Sequence, residues 1–134
     1  MTGRLNILVL LLLISTNIIS QEWGDSTVLK NPIFYTVEKP PKYPGGTKGL
    51  YKFISENISE PLIVSGTLID RIVVIEFVID KQGYIVFGRV EKSIDKYHDQ
   101  EVINLIKKMP KWIPGMQNGK PVLCYQKLPI VFIR

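Results

Sequence analysis

The fold is decided by residues 70–90, which read DRIVVIEFVIDKQGYIVFGRV. The first half is dominated by β-branched and aromatic side chains, a composition typical of a strand that is buried on at least one face. Its odd positions from 73 to 79 are all apolar, whereas the even positions include Glu76 and Asp80, so we expect the odd face to meet the helices. Lys81-Gln82-Gly83 is a short glycine-containing connection, and the β-rich run that follows it predicts a hairpin.

Two amphipathic helices flank this hairpin in the sequence. Apolar residues at near-helical spacing predict the first helix over residues 47–58, after the turn Pro44-Gly45-Gly46 and before Pro61. The second helix is predicted after the hairpin, where apolar residues recur at i, i+4 and i+7. We expect Asp99 to cap its start and Pro110 to end it.

The end of the chain predicts one more strand, over residues 122–133, interrupted by Pro129. A proline cannot donate a hydrogen bond to a β-ladder, so this strand belongs at a sheet edge with the proline nitrogen facing outward. The predicted fold class is α+β, with two helices packed on one face of a three-stranded antiparallel sheet. A shorter run, residues 32–37, is also compatible with a strand.

The first 20 residues have the pattern of a secretory signal peptide. A short, positively charged start precedes a largely apolar stretch of 15 residues, shorter than the roughly 20 residues that span a bilayer. We expect cleavage after Ser20 and, in a bacterial host, export to the periplasm. The alternative is an uncleaved inner-membrane anchor with Trp23 at the membrane interface, the only form that would contact the membrane. Residues 21–39 are interpreted as a short N-terminal segment and residues 40–134 as the domain.

The composition is that of an ordinary globular chain. Of the 134 residues, 46% are hydrophobic and 22% are charged, which excludes a disordered or collagen-like protein. The net charge of +5 is mild, and its densest cluster, Lys107, Lys108 and Lys111, fits a helix end better than a nucleic-acid site. Cys124 is the only cysteine, which excludes an intramolecular disulfide and a thiol zinc site. We expect no nucleic acid, metal or cofactor.

No constellation of residues points to catalysis. The serines and Cys124 have only His98 to serve as a base, and no catalytic signature surrounds them. We interpret Cys124 as a small buried hydrophobe and His98 as a solvated loop residue. Asp95 and Asp99 fit a helix start, where acidic side chains are favoured electrostatically. We therefore do not expect an enzyme.

The predicted edge strand is the best candidate for a binding surface. An edge exposes unpaired N–H and C=O groups to which an extended peptide can add, with side-chain pockets giving specificity. The same edge carries Lys127, Pro129 and Arg134, which are residue types that proteins use to prevent unwanted strand pairing. The pattern alone leaves both interpretations open.

Several motifs occur together in an order that resembles a known family. The first is Lys42-Tyr43-Pro44-Gly45-Gly46. The most specific is residues 109–122, which read MPKWIPGMQNGKPV, with Leu128-Pro129-Ile130 downstream. Over residues 36–134 the sequence is similar to the C-terminal domain of TonB-type energy transducers.

The resemblance implies a periplasmic domain that binds the short N-terminal box of outer-membrane transporters by strand addition. Carried over by position, it assigns partner binding to the last strand: Val122, Leu123, Cys124, Tyr125, Gln126, Lys127, Leu128, Ile130 and Phe132. It assigns a structural role to a second set: Pro44, Gly45, Gly46, Pro110, Trp112, Pro114 and Gly115.

Two hypotheses about function follow. In the first, the chain is a transport-linked module that takes up a transporter's N-terminal peptide. It would be a short transducer if the leader stays anchored, since the 19 residues from 21 to 39 reach at most about 65 Å, or a soluble relative if the leader is cleaved. In the second, the chain is a self-associating structural or scaffold protein of the cell envelope, a homodimer through the edge strand, without energy transduction.

Overall fold

The computed structural model describes residues 21–59 and 71–132. The predicted leader, residues 1–20, and Pro61 lie outside the described residues. In chain order the elements are β1 (Glu22–Gly24), a 3-10 helix (Ser26–Lys30), α1 (Gly46–Asn57), β2 (Ile72–Ile79), β3 (Ile85–Lys92), α2 (Lys96–Lys107), β4 (Gly115–Gln117), β5 (Lys120–Val122) and β6 (Cys124–Val131).

The α+β class and the two predicted helices are confirmed, but the three-stranded sheet is wrong. The sheet has four strands in the order β1-β3-β2-β6, all antiparallel, and β4 and β5 form a separate two-stranded sheet. The additional strand is β1, which pairs with β3 through Trp23 opposite Gly88. Three residues are too few to show a periodicity of two, so the sequence pattern gave no signal for β1.

The odd face of β2 meets the helices, as predicted. Val73, Ile75, Phe77 and Ile79 have no exposed surface. They form one core cluster with residues of both helices, among them Ile54 of α1 and Val102, Leu105 and Ile106 of α2. Burying a side chain of this size contributes about 1.5–3 kcal/mol, so this face holds much of the stability of the domain.

The even face of β2 is also buried, which the alternation of residues did not predict. Glu76 is 2% exposed and Val78 is fully buried, as is their neighbour Phe87 on β3 at 2%. The cover is the N-terminal segment. It begins as β1 beside β3 and donates a hydrogen bond from the Asp25 N–H to the Val86 carbonyl at 2.9 Å. It then crosses this face and reaches the far edge of the sheet at Phe34, which bridges to β6.

The strand predicted over residues 32–37 is therefore reduced to a single bridge at Phe34. The residues before Phe34 form the 3-10 helix and the segment that crosses the sheet, and the chain leaves the edge of the sheet soon after Phe34. Residues 21–39 pack on the rest of the domain and do not act as a free spacer in this structure.

One ion pair lies on the covered even face. Arg89 Nη2 donates to Glu76 Oε1 at 2.6 Å, across the β2–β3 pair in which these residues stand opposite each other. The Glu76 side chain is almost fully buried, whereas the Arg89 side chain is one-third exposed. A buried carboxylate needs such a partner, because removing it from water is unfavourable by several kcal/mol.

The start of α2 differs from the prediction. Asp95, not Asp99, is the N-cap, and its side chain accepts hydrogen bonds from the backbone N–H and the ring of His98, both at 2.8 Å. These hydrogen bonds lower the pKa of Asp95. His98 is buried rather than solvated, with its ring 4.7 Å from that of Phe132. Two aspartates four residues apart both fit a helix start, and the sequence pattern could not choose between them.

Asp99 has a different role from the predicted cap. It is fully buried in the first turn of α2. Its carboxylate accepts hydrogen bonds from the Ser93 hydroxyl and from Gln21 Nε2, the latter at 3.1 Å. Asp99 therefore ties the first described residue of the chain to α2.

Replacing Gly88 by alanine should destabilise the domain, because a Cβ there would overlap the indole ring of Trp23. We expect Gly88→Ala to lower the free energy of unfolding by about 1–3 kcal/mol, the usual range for overpacking. In a Trp23→Ala background the same change should be neutral or stabilising, since alanine is favoured over glycine in a strand. Urea unfolding of the four proteins measures this double-mutant cycle; an equal loss in both backgrounds would contradict the packing described.

Removing the guanidinium of Arg89 should also destabilise the domain. We expect Arg89→Met to lower the free energy of unfolding by about 3 kcal/mol, because Glu76 remains buried without its closest cation. The double variant Glu76→Met, Arg89→Met should recover to within about 1 kcal/mol of the original protein, since an apolar pair can replace a buried ion pair. Thermal and urea unfolding give these values. A double variant with a lower free energy of unfolding than Arg89→Met would show that Arg89 is not needed to stabilise the buried Glu76 carboxylate.

Candidate partner-binding edge

Strand β6 forms one edge of the four-stranded sheet, and β2 is its neighbour. The Phe132 N–H, just after the strand, donates to the Arg71 carbonyl on the β2 side at 2.8 Å. The Tyr125 N–H donates to the Phe34 carbonyl on the opposite side at 2.9 Å. Because backbone groups alternate between the two sides of a strand, the odd-numbered residues of β6 turn their N–H and C=O groups outward.

Pro129 stands at one of these outward positions. Its nitrogen faces away from β2, so the missing N–H removes no bond from the β2–β6 ladder. The prediction of an edge strand with an outward proline is confirmed by the sheet order and by this alternation. The predicted interruption is wrong, since β6 continues through Pro129, which stands opposite Val74.

An N-terminal strap, which we define as residues 31–42, occupies the first part of this edge. Phe34 runs parallel to β6 there: its N–H donates to the Leu123 carbonyl and its carbonyl accepts from the Tyr125 N–H, both at 2.9 Å. The rings of Tyr35 and Tyr125 stack beside this bridge, with centroids 4.3 Å apart and planes inclined by 19°. The start of the edge is therefore already paired within the chain.

The second half of the strap leaves β6 and pairs with residues 113–116, which precede β6 in the chain. Lys39 bridges to Met116 and Lys42 bridges to Ile113, each through two backbone hydrogen bonds of 2.8–3.1 Å. The chains approach closely at Gly115, where a Cβ would overlap the Cys124 sulfur. The glycine at this position thus lets the strap, β4 and β6 meet.

The outward groups beyond the strap are unpaired in the described part of the chain. They are the N–H and C=O of Lys127 and Val131 and the C=O of Pro129. The carbonyl of Lys127 receives only a long side-chain bond, 3.3 Å, from Gln126 Nε2 of the same strand. These groups form a short, open stretch of sheet edge to which an extended segment can add.

The side chain of Lys127 is held between two acidic groups. Its Nζ lies 3.0 Å from Glu91 Oε2 and 3.7 Å from Glu76 Oε2. Glu91 is the extra residue of a β-bulge, since Ile75 pairs with Val90 and Val74 with Lys92. The hydrogen bond that the ammonium donates to Glu91 raises the pKa of Lys127, so the ammonium stays charged throughout the physiological range.

The predicted partner-binding residues do not all lie on this edge. Val122 belongs to β5 and pairs with Gly115, so its inclusion in the last strand was wrong. Leu123 lies between β5 and β6, and its carbonyl is used by the strap. Val122 is part of the separate β4–β5 pair, which turns at Asn118-Gly119, so the last strand begins at Cys124, two residues later than predicted.

The remaining predicted residues divide by side. The buried side chains are Cys124, Ile130 and Phe132, at 1%, 1% and 0% exposure. Like the half-buried Gln126 and Leu128, they have even numbers. Their side chains therefore lie on the core face, and their N–H and C=O groups turn toward β2. Burial raises the pKa of the Cys124 thiol, so this sulfur is protonated and is not an activated nucleophile. Only Tyr125 and Lys127 of the predicted set present outward backbone groups within β6.

The residues assigned a structural role support the approach to this edge. Gly45 and Gly46 have positive φ, +84° and +71°, and the turn after Pro44 starts α1. Trp112 is 4% exposed and packs edge-on against Tyr43 and Phe77, with centroids 5.5 and 5.6 Å away.

The rest of that set lies along the stretch after α2. Pro110 follows the end of the helix, and Pro114 separates the Ile113 bridge from Gly115, the first residue of β4.

Sequence reasoning missed the contacts of three residues of the N-terminal segment, two in the strap and one in β1. Phe34, Tyr35 and Trp23 were not predicted to contact the sheet. The signal available was the short apolar run after Pro32, which predicted a strand but not its partner. Trp23 packs over Gly88 and is half-buried.

Apart from this edge, a concavity of about 600 Å³ lies where the end of α1 faces α2. Glu101 crosses it and accepts hydrogen bonds from the backbone N–H and hydroxyl of Ser59 at 2.7 and 2.6 Å. Among the described residues, no group of three or more histidine, cysteine or acidic side chains could hold a metal ion. We therefore regard the open backbone of β6 as a better candidate binding site than this concavity.

Comparison with known proteins gave one match. No curated protein and no solved structure matched the chain. The family model described as Gram-negative bacterial TonB protein C-terminal matches residues 70–133, which contain β2, β3, α2 and the whole of β6. The resemblance predicted from the sequence is thereby confirmed for these residues. Residues 70–133, which include the open sheet edge, are therefore similar to the C-terminal domain of TonB proteins.

Proposed function

We propose that this chain is a periplasmic TonB-like binding module that takes up the N-terminal box of an outer-membrane TonB-dependent transporter as an added strand, in energy-coupled transport. The observation that carries the proposal is the open outward edge of β6 at Lys127, Pro129 and Val131. The match of residues 70–133 to the TonB C-terminal family supports it, since this is a family of protein-interaction domains in the context of energy transduction.

Strand addition suits the chemistry of this edge. Each backbone hydrogen bond to an incoming strand contributes a net 0.5–1.5 kcal/mol, about threefold to tenfold in affinity. The open stretch offers two N–H donors and three carbonyl acceptors, so backbone bonds alone give weak binding. Affinity and selectivity must then come from side chains next to the edge, chiefly Tyr125 and Lys127.

The same edge argues against self-association as the main function. In a homodimer both strands of the new ladder would carry Pro129, which has no N–H, and the charged Lys127, whereas an added peptide meets one copy of each. Both residues weaken such pairing. A scaffold function through this edge remains the alternative, and the concentration dependence of the mass in solution distinguishes it from peptide binding.

We propose that residues 1–20 export the domain and are removed. Among residues 21–59 and 71–132, no helix is long and apolar enough to cross a membrane. The Gln21 carbonyl accepts a hydrogen bond from the Val90 N–H at 3.1 Å, so the residue after the proposed cleavage site is bonded to the sheet. If the leader stayed in the inner membrane, these contacts would hold the domain against the membrane surface, since residues 21–39 are not free to act as a spacer.

Replacing Lys127 by proline should abolish peptide binding. The Lys127 N–H points outward and has no backbone partner in the described structure, so its removal should leave the fold intact, as Pro129 does two residues later. We expect Lys127→Pro to weaken the binding of synthetic ten-residue transporter-box peptides at least tenfold, measured by NMR titration.

The matched control is Lys127→Ala, which removes the ammonium but keeps the N–H. It should bind within about threefold of the original protein, because the contribution of an exposed ion pair is small. Equal binding by Lys127→Pro would place the partner elsewhere. If no peptide binds the original protein and its mass rises with concentration, the self-association alternative replaces the proposal.

The mature chain should begin at Gln21. Intact-mass analysis of the protein recovered from the cell envelope is expected to show the loss of residues 1–20. A mass that retains these residues, with the protein in the inner-membrane fraction, would establish the anchored alternative instead.

A further inference from the structure

We propose that the strap is a built-in competitor: its residues 33–35 occupy the start of the β6 edge and must leave it before a partner strand can pair along the whole edge. This inference rests on the proposed function, because it concerns the same edge. It adds a regulatory contact that lies outside residues 70–133, the range of the family match.

The strap uses the atoms that an added strand would need. Phe34 takes both the carbonyl of Leu123 and the N–H of Tyr125. With these groups paired, an incoming strand has only the stretch from Lys127 to Val131, and Pro129 within it has no N–H to offer. The strap therefore removes the start of an already short edge.

The contact of the strap with β6 is small. It includes one parallel bridge, at Phe34, and a contact between Tyr35 and Tyr125, whose rings stack and whose side chains hydrogen-bond. Tyr35 is 66% exposed, so holding it there buries little of its surface, whereas Phe34 is 36% exposed. A partner that pairs over a longer stretch of β6 can replace this contact.

The strap stays tethered after it leaves the edge. On one side β1 pairs with β3, and on the other Lys39 and Lys42 are bridged to Met116 and Ile113. A displaced strap therefore remains close to β6 and returns without diffusing, as an intramolecular ligand does. The apparent affinity for a partner is reduced by the fraction of molecules whose edge is closed.

The test uses the full exported chain and a variant with a released strap, Phe34→Pro, Tyr35→Ala. The proline removes the N–H that donates to Leu123, and the alanine removes the ring that stacks on Tyr125. The control is Tyr51→Ala, which removes a tyrosine of α1 that is 47% exposed. Two probes are titrated by NMR: transporter-box peptides, and a synthetic peptide that copies residues 31–38 of this chain.

We expect the released variant to bind the box peptides about tenfold more tightly than the original protein, and the control to bind them unchanged. The copied peptide should bind the released variant and shift the amides of Leu123 and Tyr125, but should not bind the original protein. The single variant Tyr35→Ala leaves the backbone unaltered and should tighten box-peptide binding by about threefold.

The outcomes separate this inference from the proposed function. Equal affinity of the box peptides for the original and released proteins overturns the inference and leaves the function standing. If box peptides bind neither protein but the copied peptide binds the released variant, the competitor is supported and the proposed function fails. If neither peptide binds either protein, both are overturned.

Discussion

Strand β2 has to bury both of its faces, and the rest of the structure depends on this requirement. Its odd residues form the core with the two helices, which is the arrangement expected for an α+β domain. Its even residues include Glu76 and Val78, which are just as inaccessible to water. Neither α1 nor α2 covers that side. The cover comes from the N-terminal segment, which starts as β1 at one edge of the sheet and crosses to the other.

This crossing links stability to function. A segment that covers the even face must leave it at the far edge, and there Phe34 pairs with β6. The edge is consequently divided into a closed start and an open end, with the Tyr35–Tyr125 stack at the closed part and Lys127, Pro129 and Val131 beyond it. The same segment thus completes the core and limits access to the surface where we propose that a partner strand is added.

Much of this architecture could be predicted from local pattern. The β2–β3 hairpin, both helices and the edge position of the last strand follow from the run of residues 72–79, from helical spacing and from Pro129. The errors occurred where tertiary contacts decide. Asp95 rather than Asp99 caps α2, His98 is buried against Phe132, and Val122 belongs to a separate hairpin. The four-stranded sheet was missed because β1 is too short for a periodic signal. The charged Glu76 suggested that the even face of β2 meets solvent, because the alternation of residues does not reveal its ion-pair partner Arg89.

Amide hydrogen exchange of the free protein tests whether the β6 edge is divided into a closed start and an open end. The N–H groups of Tyr125 and Lys127 both point outward from the same strand, so they differ only in whether the strap pairs with them. We expect slow exchange at Tyr125, which is bonded to the Phe34 carbonyl, and fast exchange at Lys127. Equally fast exchange at both would show that the strap does not occupy the edge, and slow exchange at Lys127 would show that the proposed binding surface is already closed.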